Sequence, residues 1–390
     1  MTSTYAEDTA RILSTLIGFS TTFEDSNLEL IDWIRQDLHS QGIEARLIYD
    51  ADKRKANLFA TVGPTSADGI ILSGHTDVVP VGNQEWSTDP FKASLRGDRI
   101  YGRGACDMKG FIASVLAHIP RWKDLPLKRP LHLAFTYDEE VGCIGVQRLL
   151  AEMESTNFRA AGCIVGEPTG MEYVVAHKGR LCGTCTVRGK AVHSSQAPSG
   201  INAIEFAARL IVYIQKLAQQ ESQTGLHDGG FDVPFSTMAT TMINGGIAAN
   251  TVPNHCSFTF DYRHLPSVDP SRILAQATAF KDQLVEEMQR VDPQGNIDLL
   301  HEVTSPPFMS AVADPLGSLL QGLAASPQGR KVAFSSEAGY FEKANIPTVV
   351  CGPGRVEQAH RADEYIALSE LDKCSQFLSG LMDWMCLRPD

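Results

Sequence analysis

The stretch GIILSGHTD, residues 69–77, decides which fold the rest of the sequence must complete. Its first half, Gly69–Ser73, is a short run of mostly apolar residues that is typical of a buried strand. A polar loop follows at once, with an imidazole at His75 and a carboxylate at Asp77. Open α/β sheets place their sites just beyond strand ends, so this stretch predicts an α/β domain with a site at one edge of its sheet.

The same arrangement recurs along the chain, because ionisable residues again follow predicted strands at Leu131–Tyr137 and Gly162–Val165. Together with the opening stretch, five segments carry such residues: 73–77 (SGHTD), 104–110 (GACDMKG), 138–140 (DEE), 166–168 (GEP) and 359–364 (AHRADE). Each segment alone has an ordinary explanation, such as a helix cap, a solvated turn or a surface acid. Gathered at one sheet edge, however, their like charges would cost several kcal/mol or force protonation. Divalent cations remove that cost, and imidazole with carboxylate suits zinc.

Composition excludes several other classes of function. The chain has 390 residues, of which 43% are hydrophobic, which is enough for two or three packed domains. Acidic residues outnumber basic ones by 46 to 34, which disfavours nucleic acid or an anionic membrane as a partner. No apolar run approaches the roughly 20 residues of a membrane span, and the start carries no export signal. Nine scattered cysteines then indicate reduced thiols, and we expect a cytoplasmic protein.

The pattern of predicted elements changes near residue 181 and returns to the α/β style after Gly295. Between these points the sequence predicts strands and helices in the order strand, helix, strand, strand, helix, which is a compact α+β unit of ferredoxin-like type. We therefore expect a discontinuous catalytic domain over residues 1–180 and 292–390, with an inserted domain over residues 181–291. Cys182 and Cys185 have the spacing of half a zinc knuckle, but they lie in a predicted strand and no second pair follows.

In their order and spacing, the five segments resemble those of the zinc-dependent aminoacylase and carboxypeptidase family. The resemblance extends over nearly the whole chain, including the inserted domain, and it implies a mixed-sheet zinc-peptidase domain with a lid and dimerisation domain. It also implies two Zn²⁺ ions per subunit, for which Co²⁺ or Mn²⁺ could substitute. By this resemblance the metal ligands are Asp107, which bridges the ions, His75 with Glu167 at one ion, and Glu140 with His360 at the other.

The resemblance also implies the catalytic residues. Asp77 matches the carboxylate that orients His75, and Glu139 matches the general base of a metal-assisted hydrolysis. His193 matches an imidazole that reaches the site of the neighbouring subunit, which implies a homodimer whose lid closes over the substrate. A cis peptide bond is expected after Asp107.

Three residues are expected to choose the substrate. Arg263 matches the family's binder of a substrate carboxylate, and Asn250 matches a residue contributed alongside His193. The loop FSSEAG, residues 334–339, resembles that of the deacetylases in this family, where a carboxylate at Glu337 suits a cationic side chain. We therefore expect a small N-acyl amino acid as substrate, with hydrolysis of N2-acetyl-L-ornithine to L-ornithine and acetate in arginine biosynthesis.

Alternatives remain open at this point. Within the family, the chain could be a succinyl-diaminopimelate desuccinylase, a general aminoacylase or a dipeptidase. From other classes, it could be a non-catalytic binding protein, or a hydrolase that uses Cys106 or Cys143 as a nucleophile with His75. Retention of the general base and of all five ligand candidates argues against a binding protein.

Overall fold

The computed structural model describes residues 4–65, 68–310, 316, 323 and 329–387, and the chain forms two compact units. As far as they are described, the first unit comprises Met1–Ala176, Phe308–Arg330 and Ser336–Asp390, and the second comprises His177–Pro307 and Lys331–Ser335. Each unit has its own cluster of buried apolar side chains. The predicted insertion of one unit within the other is therefore present in the chain order.

The first unit begins with helices and strands in alternation. Up to the insert they are α1 (Thr4–Ile17), α2 (Leu28–Ser40), β1 (Ala45–Tyr49), β2 (Ala56–Val62), β3 (Gly69–His75), β4 (Ser94–Arg96), β5 (Arg99–Tyr101), α3 (Lys109–Trp122), β6 (Leu131–Thr136), α4 (Ile144–Ser155), β7 (Ala160–Val165) and β8 (Val174–His177). The predicted strand at Gly69–Ser73 is β3, and the predicted helix at Phe111–Ile119 is the centre of α3. Local periodicity thus located both elements correctly.

The second unit contains β9 (Gly179–Arg188), a 3₁₀ turn (Ser194–Ser199), α5 (Ala203–Thr224), β10 (Thr237–Gly245), β11 (His255–His264), α6 (Ser271–Gln289) and β12 (Asn296–Ser305). The first unit then resumes with β13 (Phe308–Met309), β14 (Arg330–Val332), α7 (Ala338–Lys343), β15 (Thr348–Val350), a 3₁₀ turn (Val356–Gln358), β16 (Tyr365–Ala367) and α8 (Leu368–Met385). Of the described helices, none combines the length and the apolar content that a membrane crossing requires.

A mixed sheet forms the centre of the first unit. Its described strands run in the order β1-β2-β6-β3-β7-β15-β8-β13, with β14 paired to β8. The four strands β6, β3, β7 and β15 are parallel to one another, whereas β1, β2 and β8 pair in the antiparallel sense. The carboxyl ends of the parallel strands therefore meet at one edge, which is where the predicted site segments begin.

Helix α3 anchors this edge from one face of the sheet. All but two of its residues are buried, and it packs against α1, α8 and β3. Its first residue, Lys109, is fully buried and donates through Nζ to the main-chain oxygens of Leu16 (3.0 Å) and Phe19 (2.8 Å) near the end of α1. The segment just before α3, which contains Asp107, is consequently tied to the unit's apolar core.

The second unit is a four-stranded antiparallel sheet in the order β10-β11-β9-β12, and α5 and α6 pack against its strands. The chain order and the strand order are those of a ferredoxin-like fold. Asn202 caps α5, because its side chain accepts hydrogen bonds from the backbone N–H groups of Ile204 and Glu205. Along β9 alternate residues are buried, so Cys182 and Cys185 point to opposite faces and do not form half of a zinc knuckle.

The boundaries of the second unit differ from those expected. The expected insert, residues 181–291, stops short of β12, which pairs with β9 from Asn296 opposite Arg188 to Ser305 opposite Arg180. This strand completes the sheet of the second unit, so the unit extends to Pro307. The paired residues are more than a hundred positions apart in the sequence. A local sequence pattern therefore cannot predict this pairing.

Candidate metal centre

The candidate site lies beyond the carboxyl ends of three neighbouring parallel strands. Strand β3 ends at His75, β6 is followed by Glu139 and Glu140, and β7 is followed by Glu167. In the sheet, His75 is level with Thr136 of β6, and Ser73 is level with Val165 of β7. This register brings the three following loops to the same place, although they are far apart in the sequence.

His75 and Asp107 form the first half of the cluster. Nε2 of His75 lies 3.0 Å from Oδ1 of Asp107 and 3.9 Å from Oε1 of Glu167. The other ring nitrogen, Nδ1, lies 2.9 Å from the main-chain oxygen of Asp77 and 3.7 Å from its Oδ1. Because Asp77 engages Nδ1, the ring presents Nε2 to the two remaining acids.

His360 forms the second half of the cluster. Its Nε2 lies 3.0 Å from Oε1 of Glu140 and 3.2 Å from Oδ2 of Asp107. The two oxygens of Asp107 thus face different imidazoles, Oδ1 towards His75 and Oδ2 towards His360. The structure therefore brings all five predicted ligands together, with Asp107 between the other four.

Asp77 does more than engage His75. Its Oδ1 accepts a hydrogen bond from the backbone N–H of Glu139, and its Oδ2 accepts one from the backbone N–H of Glu140, both over 3.1 Å. One buried carboxylate thereby holds the loop after β6 in place. The sequence indicated only the contact with His75. The other two donors are backbone N–H groups, which nearly every residue carries, so residue type does not reveal them.

Glu139 lies beside the cluster. A ligand atom of Glu139, one of His75 and one of Glu167 all lie within 4.8 Å of one another. Burial raises the pKa of Glu139 to about 8, and the neighbouring charges of Glu140 and Asp77 add to that effect while His75 opposes it. Its Oε1 accepts a hydrogen bond from the thiol of Cys143 over 3.4 Å. A carboxyl group with such a pKa can exchange a proton near neutral pH.

The charges of the cluster test whether a metal ion fits it. Burial raises the pKa of Glu167 well above its usual range, and the nearby charge of Asp107 raises it further. Hydrogen bonding to Asp107 and Glu140 raises the pKa of His360 to about 11. The crowded negative charge of the cluster thus favours protonation of Glu167 and of His360. A divalent cation would balance that charge without these protons, and the donor set of imidazole nitrogen and carboxylate oxygen is the one zinc takes. The residues fit a metal centre.

The peptide bond between Asp107 and Met108 is cis, as the resemblance implied.

The second unit brings His193 and Asn250 close together. The backbone N–H of Ser194 donates to the main-chain oxygen of Asn250 over 2.9 Å, and the exposed His193 ring lies 2.8 Å from the hydroxyl of Ser195.

Arg263 pairs with an acid of its own strand. It donates through Nε to Oδ1 of Asp261 (2.6 Å) and through Nη1 to the hydroxyl of Ser335 (3.1 Å). Asp261 also accepts from Nε of Arg180 over 2.8 Å. Two guanidinium groups share one carboxylate, so the group of three keeps a net positive charge.

Glu337 is enclosed within the first unit, where it is 1% exposed. Its two oxygens accept hydrogen bonds from the hydroxyls of Thr136 (2.5 Å) and Ser73 (3.1 Å). Burial raises its pKa to about 7. Glu337, which is expected to suit a cationic substrate side chain, is thus held by hydroxyl groups of β3 and β6, the strands that lead to His75 and to Glu139.

The thiol alternatives do not fit the geometry. Cys106 is buried and donates to the main-chain oxygen of Arg355 over 3.3 Å, and burial raises the pKa of its thiol well above the usual range. The thiol of Cys143 donates to Oε1 of Glu139 over 3.4 Å. These contacts of the two thiols are with oxygen acceptors, whereas activation of a thiol as a nucleophile relies on an imidazole base.

Sequence reasoning gave no role to Arg103, Gln84 or Glu364, which connect the loops of the site. Glu364 closes the segment AHRADE, yet only His360 was singled out there. The only sequence signal for a role of Glu364 is that this acid lies four residues after the candidate ligand His360. The sequence contains no corresponding signal for Arg103 or Gln84, which lie in distant loops.

Comparison with known proteins agrees with the motifs. Residues 71–384 match the model of peptidase family M20/M25/M40. An acetylornithine deacetylase of Aliivibrio fischeri (strain MJ11) is 31% identical over 386 residues, which is 96% of each chain. The structure of a Staphylococcus aureus tripeptidase is similar, with a TM-score of 0.76, 18% identity and 98% of both chains covered. So is that of a Bacillus subtilis protein named as a dinuclear metal-binding peptidase of the M20 family, with a TM-score of 0.60, 16% identity and 97% of both chains covered. The chain therefore belongs to peptidase family M20/M25/M40, as its motifs indicated, and it is a metal-dependent hydrolase.

Proposed function

We propose that the protein hydrolyses the amide bond of an N-acyl-L-amino acid, and that its substrate is N2-acetyl-L-ornithine, which yields L-ornithine and acetate for arginine biosynthesis. The observation that carries this proposal is the position of Asp107 between His75 and His360, with Glu139 beside them. Full-length similarity to proteins named acetylornithine deacetylase supports the choice of substrate. The free thiols of all nine cysteines are in keeping with a cytoplasmic enzyme.

The proposed cofactor is a pair of Zn²⁺ ions, with Co²⁺ or Mn²⁺ as possible substitutes. His75 and Glu167 would hold one ion, Glu140 and His360 the other, and Asp107 both. When bound, the ions would supply Lewis acidity, which polarises an acyl carbonyl and makes water more acidic.

Glu139 acts as the general base in this proposal. Its carboxylate takes a proton from the attacking water, the oxygen of that water bonds to the acyl carbon, and the carbon–nitrogen bond breaks. Glu139 then passes the proton to the departing α-nitrogen, so acetate and the free amino acid leave. Asp77 supports this step because it holds the backbone of Glu139 and also orients His75.

Arg263, Asn250 and Glu337 are the proposed substrate contacts. Arg263 and its neighbour Arg180 share Asp261, and their surplus positive charge suits the α-carboxylate of an amino acid. Asn250 lies next to His193 and would contribute a hydrogen bond to the substrate. Both oxygens of Glu337 already accept hydrogen bonds from hydroxyl groups. Its ionised form would therefore favour a cationic side chain through charge, from within the first unit.

We further propose that the enzyme is a homodimer in which the second unit acts as a lid and His193 stabilises the oxyanion in the partner's site. Strand β10 supports this arrangement, because it lies at the edge of its sheet among the described strands. Large apolar side chains on and after this strand are exposed, with Met242 at 66%, Ile243 at 58% and Ile247 at 85%. Such an edge suits pairing with a second copy of the chain.

A substrate panel tests the proposal. The Zn²⁺-loaded protein should release ornithine from N2-acetyl-L-ornithine faster than it deacylates N-acetylmethionine or N-succinyl-diaminopimelate. Chelation should abolish turnover, and added Zn²⁺ should restore it. A faster reaction with either comparison substrate would refute the choice of substrate. Full turnover in protein shown to hold no metal would refute the mechanism itself.

A further inference from the structure

A closed set of hydrogen bonds joins the loop that carries Asp107 to the loop that carries His360. It begins at Glu364, whose Oε1 accepts from the backbone N–H groups of Cys106 (2.9 Å) and Asp107 (3.1 Å). A single carboxylate oxygen thus holds two successive peptide groups at the point where the Asp107 side chain leaves the backbone. The contact therefore holds the backbone from which that side chain extends.

Arg103 continues the set from Glu364 to the other loop. Its Nη1 donates to Oε2 of Glu364 over 2.7 Å, and its Nη2 donates to Oε1 of Gln84 over 2.7 Å. Gln84 in turn donates through Nε2 to the main-chain oxygen of His360 over 2.9 Å. The contact of 3.2 Å between Asp107 Oδ2 and His360 Nε2 closes the ring. We call Gln84, Arg103 and Glu364 the Arg103 network.

The burial of Arg103 and Glu364 argues for a geometric purpose. Arg103 and Glu364 are each only 1% exposed, and the guanidinium lies 5.1 Å above the ring centre of Trp86. A buried ion pair loses in desolvation much of what it gains in attraction, so it is a weak source of stability. It does fix direction well, because the planar guanidinium offers two donors at a set angle.

His360 has a particular need for such support. Its φ angle is 60°, in the left-handed region that is uncommon for residues other than glycine. The Gln84 contact holds the main-chain oxygen of this residue, and Arg103 also donates to the main-chain oxygen of Arg361 over 3.3 Å. A backbone conformation of this kind persists where its surroundings hold it.

We propose that Gln84, Arg103 and Glu364 are positioning residues that set Asp107 and His360 for metal binding. This inference rests on the proposed function, because it takes both residues as metal ligands. The network touches neither substrate nor metal in this scheme. It acts through the backbone of Asp107 and of His360, as supporting partners of metal ligands commonly do.

Two variants break the network while keeping the ligands. Arg103→Lys keeps the buried positive charge but loses the second donor that reaches Gln84. Gln84→Leu keeps the Arg103–Glu364 pair and removes both contacts of the Gln84 amide, the one that accepts from Arg103 and the one that donates to the main-chain oxygen of His360. Two controls match them: Glu85→Gln changes an exposed neighbour, and Glu221→Gln removes a buried carboxylate that pairs with Arg272 in the second unit.

The measurement is Zn²⁺ affinity by competition with a chromophoric chelator, accompanied by the visible spectrum of the Co²⁺-loaded protein. Both network variants should bind the weaker of two Zn²⁺ ions about 10- to 100-fold less tightly than wild type and should show an altered Co²⁺ spectrum. Glu85→Gln should match wild type, and Glu221→Gln should lower the melting temperature without changing Zn²⁺ affinity. If Arg103→Lys fails to fold, Gln84→Leu carries the test, since Gln84 is only partly buried.

Wild-type Zn²⁺ affinity and an unchanged Co²⁺ spectrum in folded Gln84→Leu would overturn the inference. An equal loss of affinity in Glu221→Gln would overturn it too, because any destabilised variant would then behave alike. The proposed function is judged separately on wild-type protein. If wild type binds no Zn²⁺, both proposals fall, and if it binds Zn²⁺ but releases no ornithine, only the choice of substrate and reaction falls.

Discussion

Oδ1 of Asp77 accepts a hydrogen bond from the backbone N–H of Glu139 over 3.1 Å, although 62 residues separate the two in the sequence. The same aspartate lies against Nδ1 of His75. One residue therefore holds the proposed base through its carboxylate and a proposed metal ligand through its main-chain oxygen, which ties the two functions to one strand end. This relationship makes Glu139 the first residue to test.

Glu139→Gln should retain bound metal and lose about 10²- to 10⁴-fold in kcat, because the amide cannot take up the proton of the attacking water. Metal content and single-substrate kinetics check this together. Glu154→Gln, an exposed acid on α4, is the matched control and should behave as wild type. Unchanged turnover in Glu139→Gln would remove this residue from its role.

His193→Ala should lower kcat by about 10²- to 10³-fold, because an oxyanion donor is lost. Mixing it with Glu139→Gln should restore activity, since a mixed dimer then pairs an intact Glu139 with an intact His193 from the other subunit. His255→Ala, also exposed in the second unit, should leave activity unchanged. Mixed dimers that form, as shown with two affinity tags, but stay inactive would contradict action in trans.

Arg263→Lys should raise KM for an acyl amino acid about tenfold or more and change kcat less, because a lysine cannot present a planar pair of donors to a carboxylate. An N-acetylated amine without a carboxylate should react equally slowly with both proteins. Arg209→Lys provides the control, as Arg209 forms an exposed bidentate pair with Glu287 on the same unit. Equal loss of kcat for both substrates would indicate structural damage instead.

His132 predicts a dependence of stability on pH. It is 4% exposed, and burial lowers its pKa to about 4, below the value of about 6.5 in the unfolded chain. On acidification the unfolded state takes up the proton first, so stability is complete above about pH 6.5 and falls as pH drops towards 4. Urea unfolding of metal-free protein should show a loss of about 2 kcal/mol at pH 5 from this residue.

The variant His132→Phe isolates that contribution. Phenylalanine keeps the contacts of the ring with Phe59 and Phe158 but cannot be protonated. The difference in unfolding free energy between wild type and variant should therefore narrow or reverse between pH 7 and pH 5. A difference that is independent of pH would mean that His132 does not titrate in this range.

Many strands and site loops of the first unit can be predicted from the sequence. Alternation and apolar runs locate β3, β6 and β7, and glycine and acid residues mark the loops that follow them. These patterns are local, since a strand needs only its own side chains to show which faces are buried. Resemblance to a known family then supplied the order of the ligands, which no single loop reveals.

Other features depended on contacts that span the chain. The sequence boundary of the insert missed β12 because that strand belongs to its sheet only through pairing with β9. The hydroxyls on β3 and β6 that bind Glu337 likewise lie far from it in the sequence, so no local pattern indicated these contacts.

By itself, the sequence determined the strands, the polar loops at their ends and the residue types that suit a metal centre, because these depend on neighbours along the chain. Only the tertiary structure decided that Asp107 lies between His75 and His360, and that Arg103 links the two loops behind them. The parallel order of the strands brings three of the loops together, and the buried Arg103 contacts Glu364 and Gln84. Both are properties of distant segments packed together.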